Sequence, residues 1–265
     1  TSGFTLIFGL MQIINLAHGA FYLLGGYLGL TVIQWTGSFW LGVCAGALLI
    51  GLVGLIIDRF LISVVRGNEL AEVLLTMGVA FVISDLSLII WGGETLSIPT
   101  PAVLEGSVEF AGIVFPVYRL FLVVLAGLVA VLLGYLHNYT RYGAILQAGV
   151  DDPEMTQSLG INVYLVFTAV FFLGAALTGF AGVAGGAYLN LYPGADMEIL
   201  LYALVVVAIG GLGSLRGALV GSLLVGFLDT FGKVFLPELA YFTLFGPMVL
   251  ILAFRPRGLF GRSER

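Results

Sequence analysis

The sequence predicts an all-α integral membrane protein with about eight to nine helices that cross the bilayer or half of it. Only 9% of the 265 residues are charged, whereas soluble domains have about 25%. Hydrophobic residues make up 60% of the chain and the mean hydropathy is +1.13, so there is too little polar surface to cover a water-soluble fold. The 38 glycines favour closely packed helices, because small residues let helix backbones approach in lipid.

Apolar runs of about 20 residues, the length that a helix needs to cross a bilayer, recur along the chain. Residues 1–34 are apolar but interrupted between 15 and 19, and residues 199–232 are apolar but interrupted by a glycine-rich stretch at 210–217. Each of these regions fits two short helices or one broken helix. The predicted spans are 16–34, 39–57, 70–91, 117–137, 163–189 and 239–254.

The two ends of the chain bear on its organisation. The sequence opens at Thr1 already in apolar residues, so we expect most of a first helix to be missing.

Bases lie in the loops 58–69 and 138–162 and in the tail, whereas the loops 92–116 and 190–198 have acids and no base. Because cytoplasmic loops collect Lys and Arg, a cytoplasmic C-terminus is predicted for one transmembrane domain that covers the whole chain.

Few ionisable residues lie inside the predicted spans, where such groups are costly and often functional. Asp85 fits a hydrogen bond to a neighbouring helix or a role in a pathway equally well. Asp229 is predicted to pair with Lys233, four residues on. A carrier driven by protons or sodium would need several buried acids or histidines, so either another chain supplies the energy or the protein is a passive channel.

Sequence motifs of enzymes and of nucleotide-binding proteins are missing. Gly-x-x-x-x-Gly-Lys-[Ser/Thr] does not occur and Lys233 is the only lysine, so any ATPase must be a separate chain. The histidines, His18 and His137, do not have the spacing of a zinc protease, and the single cysteine, Cys44, has no partner. We therefore predict a non-enzymatic chain without cofactor, metal or nucleic-acid partner.

The loop 138–162 is too long and too patterned for a simple connector. Asp152 can cap a short helix that begins at Pro153, and Gly160 can end it. Such a helix, with a small apolar face, is marginal alone and favours docking into a groove of a partner. The alternative, a position on lipid headgroups, suits the acidic stretch after Arg141 less well. This docking segment consists of Asp152, Pro153, Glu154, Met155, Leu159, Gly160 and Ile161.

Four stretches of the sequence form a recognisable pattern. Residues 9–29 contain Asn-Leu-Ala-His-Gly before a glycine-rich run, and residues 141–162 end in Leu-Gly-Ile-Asn. Residues 208–221 contain Gly-Gly-Leu-Gly-Ser, and residues 254–261 read Phe-Arg-Pro-Arg-Gly-Leu-Phe-Gly. In this order they resemble the permease subunits of bacterial ABC importers for branched-chain amino acids. The first stretch is more similar to the first permease of such importers than to its longer partner.

The resemblance implies an ABC importer permease fold that forms the pathway for branched-chain or related aliphatic amino acids in a bacterial plasma (inner) membrane. It also implies a second, related permease in a heterodimer, two ATP-binding subunits and a periplasmic or lipoprotein substrate-binding protein. ATP hydrolysis would then belong to the partner chains. In such a complex the docking segment would contact the ATPase and couple its closure to the spans.

The two glycine-interrupted regions are candidates for the substrate pathway, since paired broken helices hold the binding sites of many transporters. Unwound backbone is tolerated in a membrane only where it faces protein or a water-filled cavity. Tight helix packing is the alternative explanation for these glycines. The candidate pathway residues are Asn15, His18, Gly19, Gly210, Gly211 and Gly213.

Two other functions compete with an ATP-driven importer. A permease or channel-like facilitator for urea or short amides would pass solute without nucleotide, although the pore signature Asn-Pro-Ala does not occur. A purely structural membrane subunit would leave the docking segment without a purpose.

Overall fold

The computed structural model describes residues 3–5, 15–110, 112–211, 213–235 and 237–261. A π-helical turn, Asp58–Ile62, follows the second helix, and a short hairpin, β1 Ser107–Phe110 and β2 Ile113–Pro116, follows the fourth. The α-helices of these ranges are α1 His18–Thr36, α2 Phe39–Ile57, α3 Ser63–Val65, α4 Glu69–Trp91, α5 Val117–Tyr139, α6 Arg141–Asp151, α7 Pro153–Ser158, α8 Val163–Leu189, α9 Ala195–Gly210, α10 Leu215–Phe235 and α11 Ala240–Phe254.

The helices confirm the predicted spans. Helices α2 and α8 have the predicted bounds, and α1, α4, α5 and α11 differ from them by one or two residues at an end. The chain is thus a polytopic all-α membrane protein. Five helical segments of the described part are long and apolar enough to cross a membrane: Phe39–Val65, Glu69–Trp91, Val117–Tyr139, Val163–Leu189 and Leu215–Phe235.

The two interrupted regions have different outcomes. Residues 199–232 fall in two helices, α9 and α10, which run antiparallel on either side of a turn. In the other region, residues 3–5 are helical and residues 15–17 form the approach to α1. Positions 1–2 and 6–14 are not among the described residues. The expectation that most of a first helix is missing also falls outside the described residues.

Polar side chains at the helix starts explain several bounds. An N-cap oxygen that accepts from an N–H of the first turn satisfies a backbone donor that has no partner within the helix. Ser38 does this for α2, Asn68 for α4 and Asn162 for α8. Helix α1 ends at Gly37, whose φ of +70° is the left-handed conformation that favours glycine.

The centre of the fold is the group of α1, α2 and α8, which pack backbone against backbone. A Cβ added to Gly179 of α8 would lie within 3.0 Å of the Gly46 carbonyl oxygen in α2. One added to Gly25 of α1 would lie 2.5 Å from the Cα of Gly179. Real Cβ atoms essentially never come within 3.0 Å, so only glycine fits where these helices meet.

The two predicted sets of loops lie at opposite ends of the bundle. At one end, Leu96 and Leu191 exchange two backbone hydrogen bonds of 2.8 Å, which joins the acidic loops that precede α5 and α9. At the other end, Thr168 near the start of α8 donates to Asp58 at 2.6 Å, beside the base-bearing segment that follows α2. The alternation of loops that the sequence predicts therefore agrees with the fold.

Candidate functional site

The docking segment contains the short helix that the sequence predicts. Helix α7 begins at Pro153, and the Asp152 carboxylate accepts from the N–H of Met155 at 2.9 Å. Gly160, with φ of +82°, follows its end. Met155 is 59% exposed and Leu159 is 71% exposed. The described part of this chain therefore leaves these two apolar side chains uncovered, whereas Ile161 is half-buried.

Helix α6 was missed by the sequence analysis, which treated the residues before Asp152 as loop. Thr140 caps this helix by accepting from the N–H of Gly143 at 3.3 Å. Helix α7 contacts α8, whose cap Asn162 accepts from the N–H of Leu165 at 3.1 Å. Helix α8 in turn packs against α1 and α2.

Asn15 and His18, two of the candidate pathway residues, are buried at the start of α1. Asn15 accepts from the N–H of Ala17 at 3.0 Å, and its Nδ2 has no hydrogen-bond partner among the described residues. The ring of His18 lies 3.2 Å from Thr178 Oγ1. Because that hydroxyl donates to the Gly174 carbonyl, it accepts from the imidazole N–H. His18 therefore connects the first turn of α1 to the middle of α8.

Gly19 lies where α1 meets the first turn of α9. A Cβ on Gly19 would overlap the backbone carbonyl of Asp196, and the Asp196 side chain accepts from Ser84 of α4 at 2.6 Å. The break near the start of α1 and the start of α9 are therefore neighbours. Tyr22, almost one turn after Gly19, also faces this junction of α1, α8 and α9.

Gly210, Gly211 and Gly213 lie at the opposite end of α9. A Cβ on Gly210 would overlap the carbonyl of Gly217 in α10. Gly211 and Gly213 have φ of +102° and +77°, so they form the turn into α10. These glycines are about 20 Å from Gly19 at 1.5 Å of helix rise per residue, and the structure does not bring the two sets together.

The tail packs on this turn and covers the end of α9. The N–H of Leu259 donates to the Ile209 carbonyl at 2.9 Å, and that of Phe260 donates to the Gly210 carbonyl at 3.0 Å. These carbonyls have no partner within the helix, so the tail serves as a C-terminal cap. Two stretches that are far apart in sequence, 208–221 and 254–261, thus form one structural unit.

Two cavities contain the ionisable residues that the sequence analysis singled out. The smaller, of about 130 Å³, has Asp85 in its wall together with Ser87 and Asp196. The cavity wall places Asp85 beside residues of α1 and α9, and its role stays a prediction, either a hydrogen bond to a neighbouring helix or a part in a pathway. Among the described residues there is no group of three or more His, Cys, Asp or Glu side chains suited to a metal ion.

The larger cavity, of about 320 Å³, lies between α1, α8, α9 and α10, and we name it the lysine cavity. The predicted pair in its wall is confirmed, with Lys233 Nζ 2.8 Å from Asp229 Oδ2. Tyr192 donates to Glu198 Oε2 at 2.5 Å. This hydrogen bond, together with burial of the hydroxyl, raises the pKa of Tyr192 to about 12.

Comparison with known proteins identifies the family. Residues 1–253 match the model of the branched-chain amino acid transport system / permease component family. The chain belongs to this family. No solved structure matches the permease, so its relatives are identified from their sequences.

Curated relatives cover nearly the whole permease. It is 29% identical to the high-affinity branched-chain amino acid transport system permease protein BraD of Pseudomonas aeruginosa, over 99% of this chain and 90% of the relative. It is 28% identical to LivH of Escherichia coli K12, over 99% and 90%. LivM of the same organism is 26% identical, over 97% of this chain but 66% of its own length. These coverages agree with the resemblance to the shorter permease type.

Replacing Gly211 by alanine is expected to destabilise the permease by about 1–3 kcal/mol. The new Cβ would require a strained positive φ and would lie 2.4 Å from the backbone nitrogen of Gly261, so the tail would be displaced from the end of α9. Unfolding of the purified protein by SDS measures the change. As a control, Gly78→Ala places a Cβ on α4 with nothing within 4 Å. Equal midpoints for the two variants would contradict the capping role of the tail.

Proposed function

We propose that this chain is a transmembrane permease subunit of an ATP-driven ABC importer and forms part of the pathway for branched-chain or related aliphatic amino acids. The observation that carries the proposal is family membership over residues 1–253. The named relatives are permeases of branched-chain amino acid transport, which does not favour the alternative of a urea or amide facilitator. The chain itself is then a transport subunit and not an enzyme.

The proposal includes the other parts of an importer. A second, related permease completes the pathway, two ATP-binding subunits supply the energy, and a periplasmic or lipoprotein binding protein delivers the substrate. The existence of both LivH and LivM among the relatives supports two permease types. The protein then lies in the bacterial inner membrane, with the base-bearing end of the bundle and the C-terminus in the cytoplasm.

The exposed face of the docking segment supports its role as the contact with an ATPase. Force on α7 would reach α8 through the short connection 159–162, and α8 would carry it to α1 and α2 through their glycine contacts. Helix α1 contacts the start of α9 at Gly19. In this mechanism the side of α1 that faces the pathway contains Asn15, His18 and Gly19. The turn between α9 and α10, formed by Gly210, Gly211 and Gly213, lets these two helices rotate relative to the tail.

Leu159→Asp is expected to lower ATPase stimulation and amino-acid uptake more than about tenfold in the reconstituted importer, because about 1.4 kcal/mol lost from docking is already tenfold in affinity. A charge would replace an apolar anchor without touching the core of this chain. Gln157→Asp is the matched control, since Gln157 is also exposed on α7 but points away from Met155 and Leu159. Uptake and ATPase rates are measured with saturating binding protein.

A second variant weakens the same helix from within. Asp152→Ala removes the cap of α7, which costs about 1 kcal/mol of helix stability, and is expected to reduce coupling in the same direction. If Leu159→Asp and Asp152→Ala both keep the unmodified ATPase stimulation and uptake, the coupling role is wrong. Solute flux through liposomes that contain this chain alone, without nucleotide, would instead favour the facilitator.

A further inference from the structure

The lysine cavity presents charges of both signs in one small space. Lys233 donates to Asp229 and, at 3.2 Å, to the hydroxyl of Tyr202. An ammonium group has three N–H donors, so one remains for a ligand. In the hydrogen bonds that the structure shows, Glu198 accepts from Tyr192 alone, through Oε2. A carboxylate can accept about four hydrogen bonds. A cationic and an anionic group thus both retain capacity for a ligand.

Tyr22 lies in the same wall but offers a ligand no hydrogen bond. The residue is 6% exposed, and its hydroxyl oxygen is fully buried. The hydroxyl packs against α8, where a Cβ on Gly185 would overlap it. A ligand in the cavity therefore cannot reach the hydroxyl, and Tyr22 contributes to the shape of the wall.

The remaining wall is apolar and suits an aliphatic group. Ile199, Val206 and Val225 line the cavity beside the polar groups. Its volume of about 320 Å³ is at the lower end of the range of about 300–1,000 Å³ for small-molecule sites. A site of this kind selects a small molecule that has an aliphatic part and two opposite charges close together.

We propose that the lysine cavity is a transient binding site for the amino-acid zwitterion during transport. The substrate carboxylate accepts from Lys233, the substrate ammonium donates to Glu198, and the side chain lies against the apolar wall. The inference rests on the proposed function and adds to it a substrate site in the permease itself. Urea and short amides have no charge and would offer no ionic partner to the free N–H of Lys233 or to the free acceptor sites of Glu198.

Binding of radiolabelled L-leucine to the complete importer in lipid nanodiscs, without the binding protein, tests the site. L-leucinamide lacks the carboxylate and 4-methylpentanoate lacks the ammonium, and both are expected to compete at least about tenfold more weakly than L-leucine, because each loses a charge-assisted hydrogen bond. This comparison uses the unmodified protein, so it does not depend on whether a variant folds. Absence of leucine binding, or equal competition by all three compounds, would overturn the site.

Two variants locate the site. Glu198→Gln removes the charge but keeps an acceptor for Tyr192, and the double variant Asp229→Asn with Lys233→Met removes the pair together. Each is expected to weaken leucine binding about tenfold. Tyr118→Phe is the control, since it removes a polar group outside the cavity, the hydroxyl that donates to Ala184 at 2.7 Å.

The two proposals fail in different ways. If leucine binds as expected but ATP drives no uptake by the complete importer, the proposed function is wrong and the site stands. If ATP drives leucine uptake but the cavity variants bind leucine as Tyr118→Phe does, the site is wrong and the proposed function stands.

Discussion

Replacing Gly179 by alanine is expected to lower the free energy of unfolding of the permease by about 3 kcal/mol, the upper part of the usual range for overpacking a core. The added methyl group would meet the Gly46 carbonyl oxygen of α2 and would lie 2.8 Å from the Cβ of Ile50. On its other side the same backbone touches Gly25 of α1. Neither neighbour is the end of a flexible side chain, so whole helices must move apart.

The measurement is unfolding of the purified protein by SDS, followed by its intrinsic fluorescence. Gly127→Ala in α5 is the matched control, because a Cβ there has nothing within 4 Å. We expect this control to be neutral or slightly stabilising, since alanine favours a helix over glycine by about 0.5–1 kcal/mol. A Gly179→Ala protein as stable as the control would contradict backbone packing as the source of cohesion of α1, α2 and α8.

The long helices were predictable because each depends on a local property of the sequence. A run of about 20 apolar residues sets a span, and the ends of α2 and α8 follow from Ser38 and Asn162, which occupy the capping positions. The docking segment was predictable for the same reason, since Asp152 and Pro153 are adjacent in sequence. Helix α6 was missed because it mixes polar and apolar residues and so lacks the long apolar run that marks a span.

The contacts between distant parts of the chain were not predictable. The tail caps α9 through Leu259, fifty residues beyond Ile209, and no local pattern marks that pairing. The lysine cavity combines Tyr22 with Lys233, which lie near opposite ends of the sequence. Of the contacts around this cavity, the pair of Asp229 with Lys233 was predictable, because the two residues are four apart and so lie on one face of a helix.

Asp58, the first residue of the segment 58–69, is buried, which its position between two predicted spans does not indicate. It follows α2 directly in a π-helical turn and is only 1% exposed. Its carboxylate lies 2.6 Å from Arg66 and accepts from Thr168 at 2.6 Å. The segment 58–69 thus folds back on α8 because a buried charge there needs partners.

Arg66→Met is expected to destabilise the permease by about 3–5 kcal/mol, the cost of leaving one member of a buried ion pair without the other. Of the hydrogen-bond partners that the described residues give the Asp58 carboxylate, Thr168 would then remain, and this carboxylate has almost no access to solvent. The guanidinium also lies 5.9 Å from the rings of Tyr164 and Phe167, contacts that methionine replaces in part. The free energy of unfolding in SDS again measures the change.

A second substitution separates loss of the pair from loss of packing. Asp58→Asn together with Arg66→Met removes the buried charge and keeps an acceptor for Thr168, so it is expected to recover most of the stability. For comparison, Lys233→Met breaks an ion pair whose lysine is 55% exposed, and exposed ion pairs contribute about 0–1 kcal/mol to the free energy of unfolding. If the double variant is no more stable than Arg66→Met, the packing of the guanidinium against the aromatic rings, and not its charge, holds the segment 58–69 on α8.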